Sequence, residues 1–110
     1  MKKIEAIIRP LKLDEVKIAL GEIGVTGMSV SDVRGVGSSP DPQVLGRAGA
    51  GDLLVRTRIE IVARDEDVEE IVAHIEKYAR TGEPGDGKIF VMAMSDAIRV
   101  RTEERGDYVL

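Results

Sequence analysis

Apolar residues recur along the chain with a period of two in some segments and with spacings of three and four in others. In the first segment Ile4, Ala6 and Ile8 share one face. Alternation of this kind predicts β-strands with one buried face. The segments predicted as strands are residues 2–8, 28–35, 53–63 and 88–94.

Two other segments have the spacing of amphipathic helices. In the first, Asp14 and Glu15 occupy the first turn, where acidic side chains are favourable, and Gly24 follows the last apolar position. The second is closed by Thr81 and Gly82. The apolar positions are Leu13, Val16, Leu20 and Ile23 in the first helix and Val68, Ile71, Val72, Ile75 and Ala79 in the second.

The two halves of the chain resemble each other when one is shifted by about 55 residues, so that Ile4 aligns with Ile59 and Leu20 with Ile75. The duplicated order of strand, helix and strand predicts an α+β fold, a ferredoxin-like βαββαβ subunit built as a duplicated split βαβ. Such a subunit has an antiparallel sheet with two helices on one face. The other face is either solvated or buried against another copy of the chain.

Residues 37–52 separate the two halves, and their two Pro and several Gly preclude regular secondary structure. Loops of this length are uncommon in a compact domain and are usually functional or disordered. The length favours a functional loop, with a tolerated insertion as the alternative.

Composition restricts the function further. A chain of 110 residues is one domain that is large enough to bury a hydrophobic core. The net charge of -4, the aromatic content of 3% and the lack of Trp argue against nucleic-acid binding. The absence of Cys excludes disulfides and thiolate chemistry. Without a signal peptide or an apolar run of membrane-spanning length, we expect a cytoplasmic protein with no direct membrane insertion.

The segment TGEPGDGKIFV, residues 81–91, contains most of a phosphate-binding P-loop motif but lacks the Ser or Thr after the Lys. A strand is predicted to follow it, where a P-loop continues into a helix. Gly82, Gly85 and Gly87 can turn backbone N–H groups toward an anion, and Lys88 adds a positive charge. The alternative is that these glycines form only a helix cap and a turn.

Arg99 and Arg101 lie two residues apart, so on an extended segment both guanidinium groups would leave the same face. Two such groups suit a polyphosphate, whereas the alternative is a solvated edge strand. Together with the glycine segment they favour an ATP-like ligand. His74, the only histidine, is interpreted as a structural residue, and no side-chain pattern indicates a metal site or a catalytic centre.

The sequence also resembles the PII nitrogen-regulatory signal-transduction proteins over nearly the whole chain. The similarity is most specific in residues 81–94, which match the family's C-terminal signature around GDGKIF. It implies a compact homotrimer of single-domain subunits, residues 1–110, that binds ATP or ADP between neighbours, with AMP as a further candidate. Mg2+ is expected only if it is carried with ATP. It also implies a non-enzymatic regulator of a membrane transporter or a metabolic enzyme.

The resemblance defines three loops: the T-loop, about residues 37–52, the B-loop, about residues 81–88, and the C-loop, about residues 99–110. It implies that the B-loop surrounds the phosphates and that the C-loop comes from the adjacent subunit. The nucleotide-binding residues that it implies are Ile7, Ser29, Gly35, Gly37, Ser38, Glu60, Val62, Gly85, Asp86, Gly87, Lys88, Arg99 and Arg101.

The T-loop departs from the family pattern and is two residues shorter. Ser38 and Ser39 follow Gly37 where the family has an Arg-Gln pair, and the loss of that Gln weakens the expectation of a 2-oxoglutarate response. Arg56 replaces a Lys that pairs with the 2-oxoglutarate carboxylate. Ser39 and Arg56 therefore form a candidate site for an effector or another small anion, such as bicarbonate. Gly51 stands where the uridylylated Tyr is expected, which excludes that modification.

Partner docking is expected through the T-loop, by a shift between loop conformations that depends on the bound nucleotide. The candidate docking residues are Pro42, Leu45, Arg47 and Asp52. One alternative is a trimeric assembly module that binds no nucleotide. The other is an ATP-hydrolysing enzyme, which is disfavoured because no base is apparent and no magnesium-holding Ser or Thr follows Lys88.

Overall fold

The computed structural model describes residues 1–36 and 53–110, and within these ranges it contains the four strands and two helices that the sequence predicts. The strands are β1 (Lys2–Ile8), β2 (Ser29–Gly35), β3 (Leu54–Ala63) and β4 (Lys88–Ala93). The helices are α1 (Leu13–Glu22) and α2 (Val68–Ala79).

The strands form one antiparallel sheet in the order β2-β3-β1-β4. β1 is central, with Ile4 opposite Ile61 of β3 and opposite Val91 of β4. The predicted α+β, ferredoxin-like fold is therefore confirmed.

The core lies between one face of the sheet and both helices. Ile4 of β1, Leu20 of α1, Ile59 of β3 and Ile75 of α2 are completely buried within it. Burial of each such side chain stabilises the fold by roughly 1.5–3 kcal/mol relative to exposure. The apolar side chains that alternate along the strands thus pack against those that recur every three or four residues along the helices.

The internal duplication extends to the start of each helix. A 3-10 turn precedes α1 at Pro10–Lys12 and α2 at Asp65–Asp67, a shift of 55 residues (65 − 10). The residues before these turns also match, because Arg9 has φ -64 and ψ 136 and Arg64 has φ -65 and ψ 149. The repeat seen in the sequence therefore has a counterpart in the backbone.

Neither helix covers the opposite face of the sheet. Phe90 and Met92 of β4 are 46% and 39% exposed there, beside a row of charged side chains from β1 and β3. Exposed apolar surface of this kind is typical of an interaction site when it forms a patch. Of the two alternatives that the sequence left open for this face, contact with another copy of the chain suits these exposed apolar side chains better than full solvation.

Candidate functional site

The glycine segment forms a tight loop between α2 and β4. Gly82, Gly85 and Gly87 have φ angles of 90°, 102° and 97°, which glycine adopts far more readily than other residues. The carboxylate of Asp86 closes this loop, because it accepts hydrogen bonds from the amides of Thr81 and Gly82, both at 2.9 Å, and from the Thr81 hydroxyl. The amides of Thr81 and Gly82 therefore donate their hydrogen bonds within the loop.

Arg9, just after β1, connects this loop to the sheet. Its Nε donates to Asp86 Oδ1 at 3.1 Å, and its Nη2 donates to the carbonyl of Pro84 at 2.7 Å. Hydrogen bonds from the Thr81 side chain, then from backbone amides and from Arg9, hold the pKa of Asp86 well below its ordinary value. The resemblance places Asp86 among the nucleotide contacts, but in this structure its carboxylate stabilises the loop.

Two glycines permit close approaches to this loop. A Cβ atom on Gly87 would lie 1.7 Å from the carbonyl oxygen of Ile7, so a side chain there would collide with β1. A Cβ atom on Gly85 would lie 3.1 Å from Nη2 of Arg9 and 3.3 Å from Nη2 of Arg56. The guanidinium groups of Arg9 and Arg56, which are distant in sequence, thus both lie next to Gly85.

The predicted nucleotide residues fall largely into two groups that line separate cavities. One cavity, of about 690 Å³, lies between α2 and β4, and the other, of about 910 Å³, lies beside β3, the start of β2 and the C-terminal segment. The two share no lining residue. The first group consists of Asp86, Gly87 and Lys88, and the second of Ser29, Glu60, Val62 and Arg99. A single chain therefore does not join them into one site.

Charged neighbours fix the carboxylate of Glu60 in the second group. Lys3 Nζ lies 2.7 Å from Glu60 Oε2, and Arg58 Nε lies 3.1 Å from Glu60 Oε1. The hydrogen bond from Lys3, supported by the charges of Lys3 and Arg58, lowers the pKa of Glu60. Glu60 is thus an ionised hydrogen-bond acceptor at neutral pH.

The C-terminal segment is a tight hairpin closed by an antiparallel bridge. The amide of Arg99 donates to the carbonyl of Glu104 at 2.9 Å, and the amide of Glu103 donates to the carbonyl of Arg99 at 2.8 Å. The extended segment on which Arg99 and Arg101 were expected to share a face is not present, because Arg101 lies in the turn of this hairpin.

The other predicted residues have simpler positions. Ile7 is half-buried on β1 opposite Lys88, and Gly35 ends β2. His74 is half-buried with its Nδ1 at 2.8 Å from the Glu70 carbonyl, in keeping with a structural role. The predicted residues that lie outside the described ranges are Gly37, Ser38, Ser39, Pro42, Leu45, Arg47, Gly51 and Asp52.

Arg9 is the site residue that the sequence analysis did not select. It is 77 positions from Asp86 along the chain, so spacing could not reveal their contact. Among residues 1–36 and 53–110, no cluster of three or more His, Asp or Glu could hold a metal ion. In those same ranges no helix has the length and apolar character needed to cross a membrane.

Residues 1–104 match the sequence model of a family described as nitrogen regulatory protein P-II. The nitrogen regulatory protein P-II of Rhodospirillum rubrum is 50% identical over 108 residues, which cover 96% of each chain. The nitrogen regulatory protein P-II 2 of Methanothermobacter thermautotrophicus is 50% identical over 108 residues, covering 96% of this chain and 94% of that protein.

The structure is also similar to the crystal structure of Arabidopsis thaliana PII bound to citrate. The TM-score is 0.83 at 44% sequence identity, and the match covers 97% of this chain and 89% of that one. Sequence and fold thus agree from the first strand through the B-loop to the C-terminal hairpin, and the chain belongs to the nitrogen regulatory protein P-II family.

Proposed function

We propose that this protein is a trimeric regulator that binds ATP or ADP in clefts between subunits and controls a partner enzyme or transporter through its T-loop. Its family consists of regulatory proteins, and nucleotide binding and trimeric assembly are typical of that family. The observation that carries the proposal is the division of the nucleotide residues between two cavities. A ligand that contacts both groups requires two chains.

The B-loop has the properties that a polyphosphate needs. The amides of Gly85 and Gly87 can approach phosphate oxygens without a Cβ atom in the way, and Lys88 supplies a charge. Asp86 would repel a phosphate if its charge were free, but Arg9 and the loop hydrogen bonds neutralise it. Phosphate binding is therefore compatible with a carboxylate in the loop.

The second group would complete the cleft from the neighbouring subunit. Arg99 and Arg101 would approach the phosphates, the ionised Glu60 would accept hydrogen bonds from ribose hydroxyls, and Val62 would contact the adenine. Arg99 lines the same cavity as Glu60 and Val62, and Arg101 lies in the same hairpin as Arg99, so one subunit would supply all of these residues. The complete nucleotide-binding cleft would then form only when two subunits associate.

A second ligand, a small carboxylate or bicarbonate, is proposed at the guanidinium groups of Arg9 and Arg56. Both reach within 3.3 Å of the Cβ position over Gly85, and a guanidinium fork matches a carboxylate well. The Arabidopsis thaliana relative was crystallised with a carboxylate, citrate. Binding here would place the effector beside the phosphates and next to the base of the T-loop.

Calorimetric titration of the purified protein with ATP, ADP and AMP tests the nucleotide proposal. Lys88→Ala and Arg101→Ala should each weaken ATP binding by about tenfold or more, since each removes a charged hydrogen-bond partner. Lys17→Ala, on the exposed surface of α1, is the control and should bind as the wild type does. A wild-type trimer that binds no nucleotide would instead be an assembly module.

Titration with 2-oxoglutarate and with bicarbonate, in the presence of ATP, tests the effector site. Arg56→Ala should abolish any coupling between effector and nucleotide, whereas Arg34→Ala, an exposed residue of β2, should preserve it. Nucleotide affinity that responds to neither anion would contradict the effector site and leave the nucleotide proposal intact.

A further inference from the structure

We propose that Glu104 is a positioning residue, which together with Tyr108 holds the Arg99 guanidinium ready for a nucleotide phosphate. This inference rests on the proposed function. Glu104 itself does not line the cavity that Arg99 shares with Glu60 and Ser29. Its effect on the ligand would therefore pass through Arg99.

Arg99 is restrained from three sides within the hairpin. Its Nη1 donates to Glu104 Oε1 at 2.9 Å, its backbone amide donates to the Glu104 carbonyl at 2.9 Å, and its Cζ lies 5.9 Å from the centroid of the Tyr108 ring. A cation over an aromatic ring is attracted to the ring face. Both the plane and the direction of the guanidinium are thus defined before any ligand arrives.

The arrangement leaves most of the guanidinium available. A guanidinium has five N–H donors, and the Glu104 carboxylate takes one of them at Nη1. Within residues 1–36 and 53–110, no hydrogen bond engages the donors on Nε and Nη2, so these would be used for an anion at the cavity. A side chain that is already ordered loses less conformational entropy on binding, so positioning strengthens the contact.

Glu104 carries a negative charge that could also oppose a phosphate. A hydrogen bond from the Thr102 side chain, followed by the charge of Arg99, lowers the pKa of Glu104, so it is ionised at neutral pH. Its charge is matched by Arg99 at hydrogen-bond distance, however, and the pair is half-exposed to screening solvent. We therefore expect positioning to outweigh repulsion.

The same hairpin contains a second ion pair that serves as a matched control. Arg105 Nη1 lies 3.0 Å from Asp96 Oδ2, and neither residue lines the cavity that contains Arg99. Asp96→Asn removes the same charge from the same hairpin as Glu104→Gln does. A general loss of hairpin stability would affect both variants, whereas loss of positioning would affect only Glu104→Gln.

The test is calorimetric titration of ATP into wild type, Glu104→Gln, Asp96→Asn, Arg99→Ala and the double variant Arg99→Ala/Glu104→Gln. Glu104→Gln should raise Kd by about five- to tenfold, somewhat less than the loss of a buried charged hydrogen bond, because the pair is half-exposed. Asp96→Asn should leave Kd within about twofold. In the Arg99→Ala background, Glu104→Gln should have no further effect.

Three results would overturn the proposal: an unchanged or lower Kd in Glu104→Gln, an equal loss in Asp96→Asn, or a further loss in the double variant. A lower Kd would show that Glu104 competes with the phosphate for Arg99.

Nitrogen NMR of the Arg99 Nη–H groups, which include the donor to Glu104 and are assigned by their loss in Arg99→Lys, separates this inference from the proposed function. Slow hydrogen exchange in wild type and in Asp96→Asn, with fast exchange in Glu104→Gln, is expected. Equal exchange in all three would refute the restraint even if ATP binds. If wild type binds no ATP, the proposed function fails and the phosphate role of Glu104 fails with it, whatever the exchange rates show.

Discussion

Gly87→Ala is expected to be among the most destabilising changes in the B-loop. The methyl group would lie 1.7 Å from the carbonyl oxygen of Ile7, so either the loop or β1 must move. The φ angle of 97° is also unfavourable for any residue with a Cβ atom. Two separate physical effects thus act at one position.

The two effects have different magnitudes. Forcing an L-residue into a left-handed conformation costs about 1–2 kcal/mol. Inserting an atom where no space exists typically costs about 1–3 kcal/mol more, after the neighbours have relaxed. Together they predict a loss of about 2–5 kcal/mol in the free energy of unfolding for Gly87→Ala.

Gly24→Ala is the matched control, because Gly24 has φ 91° but no atom within 4 Å of its Cβ position. It should lose only the conformational part, about 1–2 kcal/mol. Urea denaturation at one fixed protein concentration gives both values, since the stability of an oligomer depends on concentration. Equal losses for the two variants would refute the close approach of Gly87 to β1.

Three further substitutions test other parts of the structure. Glu103, with φ 64°, is the non-glycine residue in the left-handed region among those described, so Glu103→Gly should stabilise the protein by about 0.5–1 kcal/mol in urea denaturation, and a loss would contradict the hairpin. Because the folded-state pKa of Asp86 is lowered, its carboxylate stabilises the folded protein above about pH 4, and this stabilisation is lost as the pH falls further. Asp86→Asn should therefore destabilise the protein at pH 7 and reduce its acid sensitivity below about pH 4, unlike exposed Asp14→Asn. Leu20→Ala, in the core, should lower the free energy of unfolding measured by urea denaturation by about 2–5 kcal/mol.

Much of the fold follows from the sequence because its hydrophobic pattern is regular. The alternation in β1 and β3 and the helical spacing around Leu20 and Ile75 match the buried positions. The internal repeat also predicts the topology, because two similar split βαβ units imply one sheet with both helices on one face. The 3-10 turns before the helices were not predicted, since a single turn has no periodic signal.

The site was less accessible to sequence reasoning. Arg101 was assigned to an extended segment because the turn contains Glu103 in place of a glycine that would have marked it. The assignment of Asp86 to the nucleotide site stays a prediction, and the sequence did not reveal that its carboxylate accepts hydrogen bonds from the loop amides and Arg9. The contact between Arg9 and Asp86 depends on the folded sheet, so no local pattern could reveal it.

Binding of ATP to mixed trimers is the most direct test of the intersubunit cleft. Lys88→Ala leaves the second group intact and Arg101→Ala leaves the B-loop intact, so each alone should bind weakly. Co-refolded in equal amounts, they should restore tight binding in roughly one cleft in four, where an intact B-loop meets an intact C-loop. No restored binding in mixed trimers of the correct size would contradict the account, because both halves of the site would then come from one chain.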